Sequence, residues 1–316
     1  KLRAIREIPT RLYTARSFTI RTKLKGLRAP LHYLDPLASK SKELEPALDQ
    51  DWLDFKAVGK CDRRGRLGKQ SARVESSWPF GLFVSEAPVE LEDSGITRIL
   101  PAPLLPHALA RSIDQHLAEA QVDAVGLPEP AAEFRSLREY RAGDSPRRIH
   151  WPTSLRERSL LVRETDPPER IPPRFAVIWH VWTPPGELVR PDGFEKILQL
   201  LAGLLNFLPD RVESTLLISG NGDATELRTT EDYRAVHDSL ATVPRTALQD
   251  LDTLIGLVGE LGSIDQCCIL GESDSRHWRE AVLAGASSHC RVTCYDGVSR
   301  SAISRTPRAK LIGTPR

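Results

Sequence analysis

The sequence of 316 residues contains no methionine, and aromatic residues make up only 6% of it. It also lacks an apolar run that could cross a membrane as a helix, which needs about 20 residues. The longest apolar run, residues 197–208, is interrupted by Gln199 and Asn206. No signal-peptide pattern is present. Because the chain begins at Lys1 and has no methionine, we expect a fragment of a longer protein whose natural start is missing.

The sequence motifs of several enzyme classes are missing as well. There is no GxxxxGK(S/T) phosphate loop, no GxSxG serine elbow and no HExxH zinc motif. Residues 219–222 follow a predicted strand, where a phosphate loop would lie, but they lack its lysine and its spacing. The eight histidines are scattered without metal-ligand spacing. We therefore predict a protein that is not an enzyme and that uses no cofactor.

The number of cysteines is odd: Cys61, Cys267, Cys268, Cys290 and Cys294. Cys267 and Cys268 are adjacent and lie within an apolar run. Cys290 and Cys294 are spaced more widely than the two cysteines of the CxxC motif in zinc or redox sites. Buried, reduced thiols are the simplest interpretation. The less favoured alternative is a zinc site formed by His289, Cys290 and Cys294.

The net charge of +2 favours no particular class of partner, but its distribution is uneven. Residues 1–28 contain nine lysines and arginines and a single acid, Glu7. The tail from Arg300 onward contains five basic residues and no acid. A polybasic start is typical of a segment just cytoplasmic of a transmembrane helix, and equally of a solvated basic segment. Both interpretations stay open.

Residues 1–95 are predicted to form a small β-sandwich-like domain. Residues 17–24 alternate apolar and polar side chains with a period of two, which is typical of a half-buried strand. Residues 81–84 are another strand candidate. Residues 41–54, which are acidic and polar, are predicted to be a long loop or a short helix.

Residues 174–316 are predicted to form an α/β domain with a doubly wound, mostly parallel sheet. Residues 175–179 are a continuous apolar run, as in a strand buried on both faces. Apolar residues then recur with helical spacing over 192–208, and further strands and helices alternate toward the C-terminus. Between the two domains we predict a connector with a short helix at 96–130 and an arginine-rich linker at 131–173.

The stretch at residues 133–151 is the most unusual part of the sequence. It contains five arginines, three acids and three aromatic residues, and residues 135–163 hold eight arginines against three acids. A solvated loop does not need Tyr140 and Trp151, and a core strand does not tolerate so many arginines. The guanidinium groups must therefore pair with the protein itself, with another protein or with an anion.

Residues 137–151, with Arg158 and Arg163 beyond them, resemble the signature of the domain-of-unknown-function 58 family, which runs approximately R-E-Y-x-x-G-D-x-x-R-x-I-D/H-W. Two other strings support the resemblance. Residues 64–67 resemble the family's R-G-x-Y/L, and residues 78–83 resemble its D-P-F-G-L-F, with Trp78 in place of the usual aspartate. The resemblance covers essentially the whole chain.

This resemblance implies one or two N-terminal transmembrane helices, then a β-sandwich-like segment, the signature, and a domain like von Willebrand factor A. It implies no established enzymatic activity. It also implies a MoxR-type AAA+ ATPase as partner, because genes of the family tend to lie beside genes for such ATPases. We therefore expect a membrane-tethered adaptor on the cytoplasmic side of the cell membrane. The missing helices would account for the polybasic first residues.

Domains like von Willebrand factor A often bind a divalent cation through a D-x-S-x-S string after the first strand, since carboxylate and hydroxyl oxygens suit Mg²⁺. The corresponding place in this chain, residues 179–185, contains neither aspartate nor serine. Asp274 could match the last ligand of such a site, but one carboxylate does not make a site. We predict that the domain binds no metal.

Two interpretations of the arginine-rich segment remain. In the first, the arginines pair with Glu139, Asp144 and neighbouring groups and fix the linker between the domains. Tyr140 and Trp151 would then pack beneath the arginine side chains. In the second, the surplus arginines bind an acidic protein surface or an anion. The candidate interaction residues are Arg138, Tyr140, Arg141, Gly143, Asp144, Arg147, Arg148, Trp151, Arg158 and Arg163.

A rival function from another class is an anion-binding module for lipid head groups or nucleic acid, which would use the basic termini and the arginine-rich segment. Nucleic acid is the weaker option, because the overall charge is nearly balanced and no known reading module is recognisable.

Overall fold

The computed structural model describes most of the chain. The described residues are 2–40, 42–45, 52–93, 95–125, 134–141, 144–165, 173–187, 191–219, 222–246, 250–262, 264–287, 290–297 and 303–305. Among them, no helix combines the length and the apolar character needed to span a membrane.

The N-terminal part of the described chain is built from ten short strands. They are β1 (Arg3–Glu7), β2 (Arg11–Tyr13), β3 (Ser17–Lys25), β4 (Leu31–Leu34), β5 (Lys42–Leu44), β6 (Trp52–Lys60), β7 (Gly65–Arg66), β8 (Ser71–Ser76), β9 (Ser85–Asp93) and β10 (Arg98–Leu100). Seven of them form one sheet in the order β5-β4-β8-β9-β1-β3-β6, and the others form a three-stranded sheet in the order β2-β10-β7.

The seven-stranded sheet curls so that its two ends face each other. Tyr33 of β4 and Phe55 of β6 meet edge to face with their ring centroids 4.9 Å apart, although four strands separate β4 from β6 in the sheet. Ala4, Leu24 and Val89 belong to the same buried cluster as these rings. The sheet therefore folds over on itself and encloses a core between its two halves, with β9 as the strand that joins them.

The predicted strand at 17–24 is confirmed as β3, whereas two other predictions for this region are wrong. Residues 81–84 are an exposed loop, and the strand begins only at Ser85. Residues 41–54 include β5 and the start of β6, in which Asp54 and Lys56 face the solvent. Because these charged residues stand among the apolar residues of β6, the sequence there does not show the clear apolar–polar alternation that predicts a strand.

The basic start of the chain is part of this sheet. Arg6 in β1 is buried, and its Nη1 donates to Asp35 Oδ1 at 3.2 Å and to Gln70 Oε1 at 3.0 Å. A buried guanidinium needs such partners to offset the loss of hydration. Arg6 is therefore not available to an external anion. Residues 2–28 form β1, β2, β3 and their turns, and most of their basic side chains are exposed. The interpretation as a solvated basic segment therefore fits those side chains but not Arg6.

Helices and strands alternate from residue 107 onward. The described elements are α1 (His107–Val125), β11 (Phe134–Glu139), α2 (Trp151–Glu157), β12 (Leu161–Thr165), β13 (Arg174–His180), α3 (Pro191–Phe207), β14 (Ser214–Ser219), β15 (Ala224–Leu227), α4 (Thr230–Ser239), α5 (Leu251–Gly259), β16 (Gln266–Gly271), α6 (Arg279–Gly285), β17 (Arg291–Asp296) and β18 (Ile303–Arg305). Single 3₁₀ turns lie at Pro146–Arg148 and Ser275–His277.

The α/β class is confirmed by a six-stranded sheet in the order β15-β14-β13-β16-β17-β18. The four central strands run parallel, whereas β15 and β18 are antiparallel to their neighbours. The sheet is thus mixed, with two short edge strands that the sequence did not predict.

Helices cover both faces of this sheet. Phe175 and Val177 of β13 lie in one buried cluster with residues of α3 and α4, and Ala176 and Ile178 lie in another with residues of α5 and α6. Since successive strand residues point to opposite faces, β13 is apolar throughout. The helix α1 belongs to the first cluster through Ile113. It therefore packs onto the α/β domain, although it lies in the predicted connector.

All five cysteines are free and buried, as predicted. Burial raises the pKa of Cys290 to about 11 and that of Cys294 to about 12, so both are protonated thiols near neutral pH. His289, the third residue of the alternative zinc site, lies outside the described residues.

Arg64, directly before β7, connects the N-terminal strands to the α/β domain. Its Nε donates to Glu195 of α3 at 2.9 Å, and its Nη1 donates to the carbonyl oxygen of Leu240, at the end of α4, at 3.0 Å. The guanidinium also lies 5.3 Å from the ring centroid of Phe194. One side chain thus contacts two helices of the other domain.

Two further arginines meet a single carboxylate near the end of α4. Arg11 of β2 and Arg98 of β10 reach Asp238 Oδ2 at 2.8 and 3.7 Å. Beside them, the rings of Tyr13 and His237 meet edge-on with centroids 6.2 Å apart. The three-stranded sheet therefore lies against α4.

Residues 101–105 cross α3 at close range. The amide of Leu104 donates to the carbonyl oxygen of Gln199 at 2.9 Å. A Cβ atom on Gly203 would lie 2.7 Å from the carbonyl carbon of Leu104, closer than unbonded carbon atoms can pack. Glycine is thus required at this crossing.

We expect Gly203→Ala to lower the free energy of unfolding by about 1–3 kcal/mol, because overpacking against backbone outweighs the gain of about 1 kcal/mol in helix propensity. The matched control is Gly256→Ala in α5, where a Cβ would meet no described atom within 4 Å. That variant should be as stable as the parent or more stable. Urea denaturation followed by circular dichroism measures both. Parent-like stability of Gly203→Ala would contradict the close crossing.

Candidate functional site

The arginine-rich segment folds into a small unit, the arginine module, which comprises residues 134–141 and 144–165. Its strands β11 and β12 pair antiparallel, with Leu137 opposite Arg163 and Glu139 opposite Leu161. The first 3₁₀ turn and the helix α2 lie between the strands. This helix has only seven residues, too few for an apolar period to reveal it in the sequence.

A bidentate ion pair closes the turn after β11. Nη1 and Nη2 of Arg138 each donate to one carboxylate oxygen of Asp144 at 2.7 Å, and the amide of Arg141 donates to Asp144 Oδ2 at 2.8 Å. The hydrogen bonds from Arg138 are the main reason why the pKa of Asp144 falls from 3.8 to about 2. The predicted internal pairing is thus present for Arg138. Gly143, another of the candidate interaction residues, lies outside the described residues.

The helix α2 is fixed to β12 through Ser154, which is buried. Its Oγ donates to the carbonyl oxygen of His150 and accepts the amide of Leu161, both at 2.9 Å. The amide of His150 in turn donates to the carbonyl oxygen of Leu161 at 2.8 Å. Arg158 ends the helix in the left-handed conformation, with φ of 53°. The module is therefore held together by its backbone pairing, by Ser154 and by the ion pair between Arg138 and Asp144.

The side chains that remain on the surface of the module are basic and apolar. Trp151 is 55% exposed and Leu155 is 76% exposed, and their spacing of four residues places them on the same face of α2. Trp151 therefore does not pack beneath the arginines, as the internal interpretation expected. Tyr140 is half-buried. The exposed arginines of the candidate set are Arg141, Arg147, Arg148, Arg158 and Arg163.

A second basic surface lies on the seven-stranded sheet, in an open cleft of about 550 Å³. Its lining includes four cationic residues, Arg21, Lys23, Lys42 and Lys56, and two acids. The register places one acid, Glu7, opposite Arg21 and the other, Asp54, opposite Lys23. Cross-strand pairing of opposite charges therefore reduces the positive field of this cleft.

A buried histidine, His180, ends β13. His180 packs against Trp278 with ring centroids 4.7 Å apart, and its Nδ1 accepts the amide of Trp182 at 3.3 Å. Burial lowers the pKa of His180 to about 3, so the ring is neutral at physiological pH. A Cβ on Gly271 would lie 2.8 Å from His180 Nε2, so this glycine makes room for the ring.

Two carboxylates next to this edge of the sheet are paired with arginines, and a third, Asp296, accepts the amide of Ser275 at 2.9 Å. Glu272 accepts from Arg245 Nη2 at 2.7 Å. Asp274, considered above as a cation ligand, accepts from Arg276 Nη2 at 2.6 Å, and the hydrogen bonds from Arg276 lower its pKa. Within the described ranges, no cluster of three or more His, Cys, Asp or Glu side chains could hold a metal ion. This edge is therefore organised as packed structure.

Comparison with known proteins identifies no relative: no protein-family model matches the chain, and no curated protein is significantly similar to it. The arginine module and the basic cleft are therefore the features of this protein that bear on its function.

We expect Asp144→Asn to open the turn of the module at neutral pH, because the neutral amide cannot make the charged pair with Arg138. The folded-state pKa of Asp144 is below its ordinary value of 3.8, so the parent retains the pair above that pH and loses it as pH falls toward about 2. Hydrogen exchange over residues 138–148, measured by mass spectrometry and corrected for intrinsic rates, should be faster in the variant, with the difference shrinking in acid.

The control for this measurement is Arg147→Ala, which changes an exposed arginine of the same turn. Its exchange over residues 138–148 should match that of the parent at every pH. A difference between Asp144→Asn and the parent that persists unchanged at the lowest pH would show that the ion pair is not what holds the turn.

Proposed function

We propose that this chain is a non-catalytic interaction protein that is tethered to the cytoplasmic side of the cell membrane and works with a MoxR-type AAA+ ATPase. We further propose that it belongs to the domain-of-unknown-function 58 family and that its α/β domain is of the von Willebrand factor A type. The resemblance of residues 137–151 to the family signature supports the ATPase partner and the tether. The geometry of the described residues supports the interaction surface.

The α/β domain is compatible with a von Willebrand factor A type in two respects. Four central parallel strands have helices on both faces, and β13 is followed by the segment where such domains can hold a cation. Here this segment carries His180 and Trp182, and the nearby Asp274 is paired with Arg276. This donor set suits a degenerate site, which fits an adaptor better than a metal-dependent enzyme.

The observation that carries the proposal is the surface of α2. A surface helix is normally stabilised by burying its apolar face, yet Trp151 and Leu155 both face the solvent. Tryptophan and arginine are also the residues most enriched at the energetic centre of protein interfaces. A partner that covers α2 would bury both apolar side chains and bring its own acids to Arg147 and Arg158.

We expect the double variant Arg147→Ala/Arg148→Ala to weaken binding of the MoxR-type ATPase from the same organism by at least about tenfold. Trp151→Ala should have an effect of similar size, because it removes the apolar part of the same surface. The affinity of the purified proteins can be measured by biolayer interferometry. Both changes lie on exposed side chains, so the unfolding midpoint should stay within error of the parent.

The matched control is Arg228→Ala/Arg234→Ala, which removes two exposed arginines of the α/β domain. It changes the net charge equally and should leave the affinity unchanged. If both double variants weakened binding to the same extent, the effect would be one of overall charge. If neither did so, the arginine module would not be the docking surface.

The rival hypothesis, an anion-binding module, is favoured by the basic cleft lined by Arg21, Lys23, Lys42 and Lys56. Binding to DNA or to head groups through such charges would fall steeply with salt. Lys42→Glu/Lys56→Glu would then abolish it and leave ATPase binding intact. Salt-sensitive anion binding without any ATPase binding would replace the proposed function by its rival.

A further inference from the structure

The loop between β8 and β9, residues 77–84, exposes an unusual amount of apolar surface and is called the apolar loop. Its large side chains belong to residues that are between 63% and 86% exposed: Trp78, Phe80, Leu82, Phe83 and Val84. Soluble proteins rarely expose a contiguous apolar patch of this kind unless the patch binds something. The described part of the chain provides no cover for it.

The apolar loop is anchored at its base. Ser76 and Ser85 are paired across β8 and β9, and Ser76 Oγ donates to the carbonyl oxygen of Pro30 at 2.7 Å. Within the loop, the amide of Gly81 donates to the carbonyl oxygen of Ser77 at 2.7 Å, and Gly81 has a φ of 67° that favours glycine. The turn is therefore held by backbone bonds, and its apolar side chains project from the end of the sheet.

The chemistry of these side chains favours a bilayer over a protein as the binding partner. Residues 78–84 carry no charge and no side-chain hydrogen-bond acceptor, and the indole N–H of Trp78 is the one side-chain donor among them. Protein interfaces contain about one hydrogen bond per 100–200 Å² and a polar rim, which this tip cannot supply. Tryptophan next to the serines at the base is suited to the head-group layer, where amphipathic rings accumulate.

Basic side chains lie at the same end of the sheet. The bond between Ser76 and Pro30 places the turn after β3 beside the apolar loop, and Arg28 in that turn is exposed. At the adjoining end of β3, Lys25 is opposite Arg3 of β1. Of these three cations, Lys25 already contacts the ring of Trp52, with its Nζ 5.6 Å from the centroid.

Acidic side chains on the adjoining strands offset this charge. Those described are Glu43, Glu45, Glu75, Glu86 and Glu90, and Glu86 forms an ion pair with Arg73 at 2.6 Å. No cationic surplus is left. Insertion of the apolar side chains must therefore provide the attraction, and binding to neutral and to anionic vesicles should be similar.

We propose that the apolar loop inserts into the interfacial region of a phospholipid bilayer. Its backbone is not helical, and unpaired backbone groups are costly in hydrocarbon, so insertion is limited to the outer 5–10 Å or so of the bilayer. The strands β8 and β9 then end at the bilayer surface. This contact is independent of the ATPase partner, so either proposal can fail without the other.

The depth of the loop can be measured with a single fluorescent label. Because all five native thiols are buried, a polarity-sensitive fluorophore will react selectively with Leu82→Cys in the 316-residue chain. With vesicles of phosphatidylcholine and phosphatidylglycerol, we expect its emission to shift to the blue and to be quenched by a lipid-borne quencher. The control is Val58→Cys on β6, another exposed apolar position away from the loop, whose label should show neither change.

Substitution of the loop tests whether it carries the affinity. Phe80→Ser/Phe83→Ser should lower cosedimentation with these vesicles by at least about tenfold, since two inserting rings are lost. Val58→Ser, which removes an exposed apolar side chain from β6, should bind like the parent. The loop variant should also unfold at the parental midpoint and retain ATPase binding, which separates this inference from the proposed function.

Three results would overturn the proposal. The parent chain could fail to bind vesicles, or the label at position 82 could remain unquenched in vesicle-bound protein. The third is concentration-dependent self-association of the parent that Phe80→Ser/Phe83→Ser abolishes without any vesicle binding. That result would assign the loop to a contact between copies of this chain.

Discussion

The guanidinium group of Arg64 makes the densest set of contacts between the N-terminal strands and the α/β domain. It forms an ion pair with Glu195 in α3, donates to a carbonyl oxygen at the end of α4, and lies over the ring of Phe194. The last carbonyls of a helix have no partner within the helix, and the helix dipole attracts a cation there. A lysine could not make these contacts together, because it lacks the planar fork of five donors. One residue therefore fixes the N-terminal strands against two helices.

The remaining contacts between the domains converge on the same two helices. Arg11 and Arg98 meet Asp238 near the end of α4, and the segment before α1 crosses α3 at Gly203. The arginine module follows α1 and precedes β13 in sequence, and both of these elements pack into one buried cluster of the α/β domain. In sequence, the module thus lies between two elements that are packed into the same core.

The sequence predicted the elements whose signal is local. The apolar run of β13 and the helical period of α3 reflect burial against the same core, so pattern and structure agree. Contacts between distant residues left no such signal. Residues 64–67 resemble a family string, but the sequence does not predict the ion pair of Arg64, because its partner Glu195 lies 131 residues away. The turn closed by Asp144 was anticipated in part, since Arg138 and Asp144 are close in sequence.

Several of the failures of prediction share one physical cause. Pattern analysis assumes that apolar residues are buried and that arginines are exposed, yet here Arg6 is buried while Phe83 and Trp151 are exposed. The buried arginine is explained by its partners within the fold. The exposed rings have no such explanation, because folding leaves their apolar surface in water. Exposed aromatic rings of this kind do not stabilise the fold. Residues that break the usual burial pattern are expected where a protein binds a partner. Exposed aromatic side chains, more than the surplus of arginine, are therefore the basis of the two binding surfaces proposed for this protein.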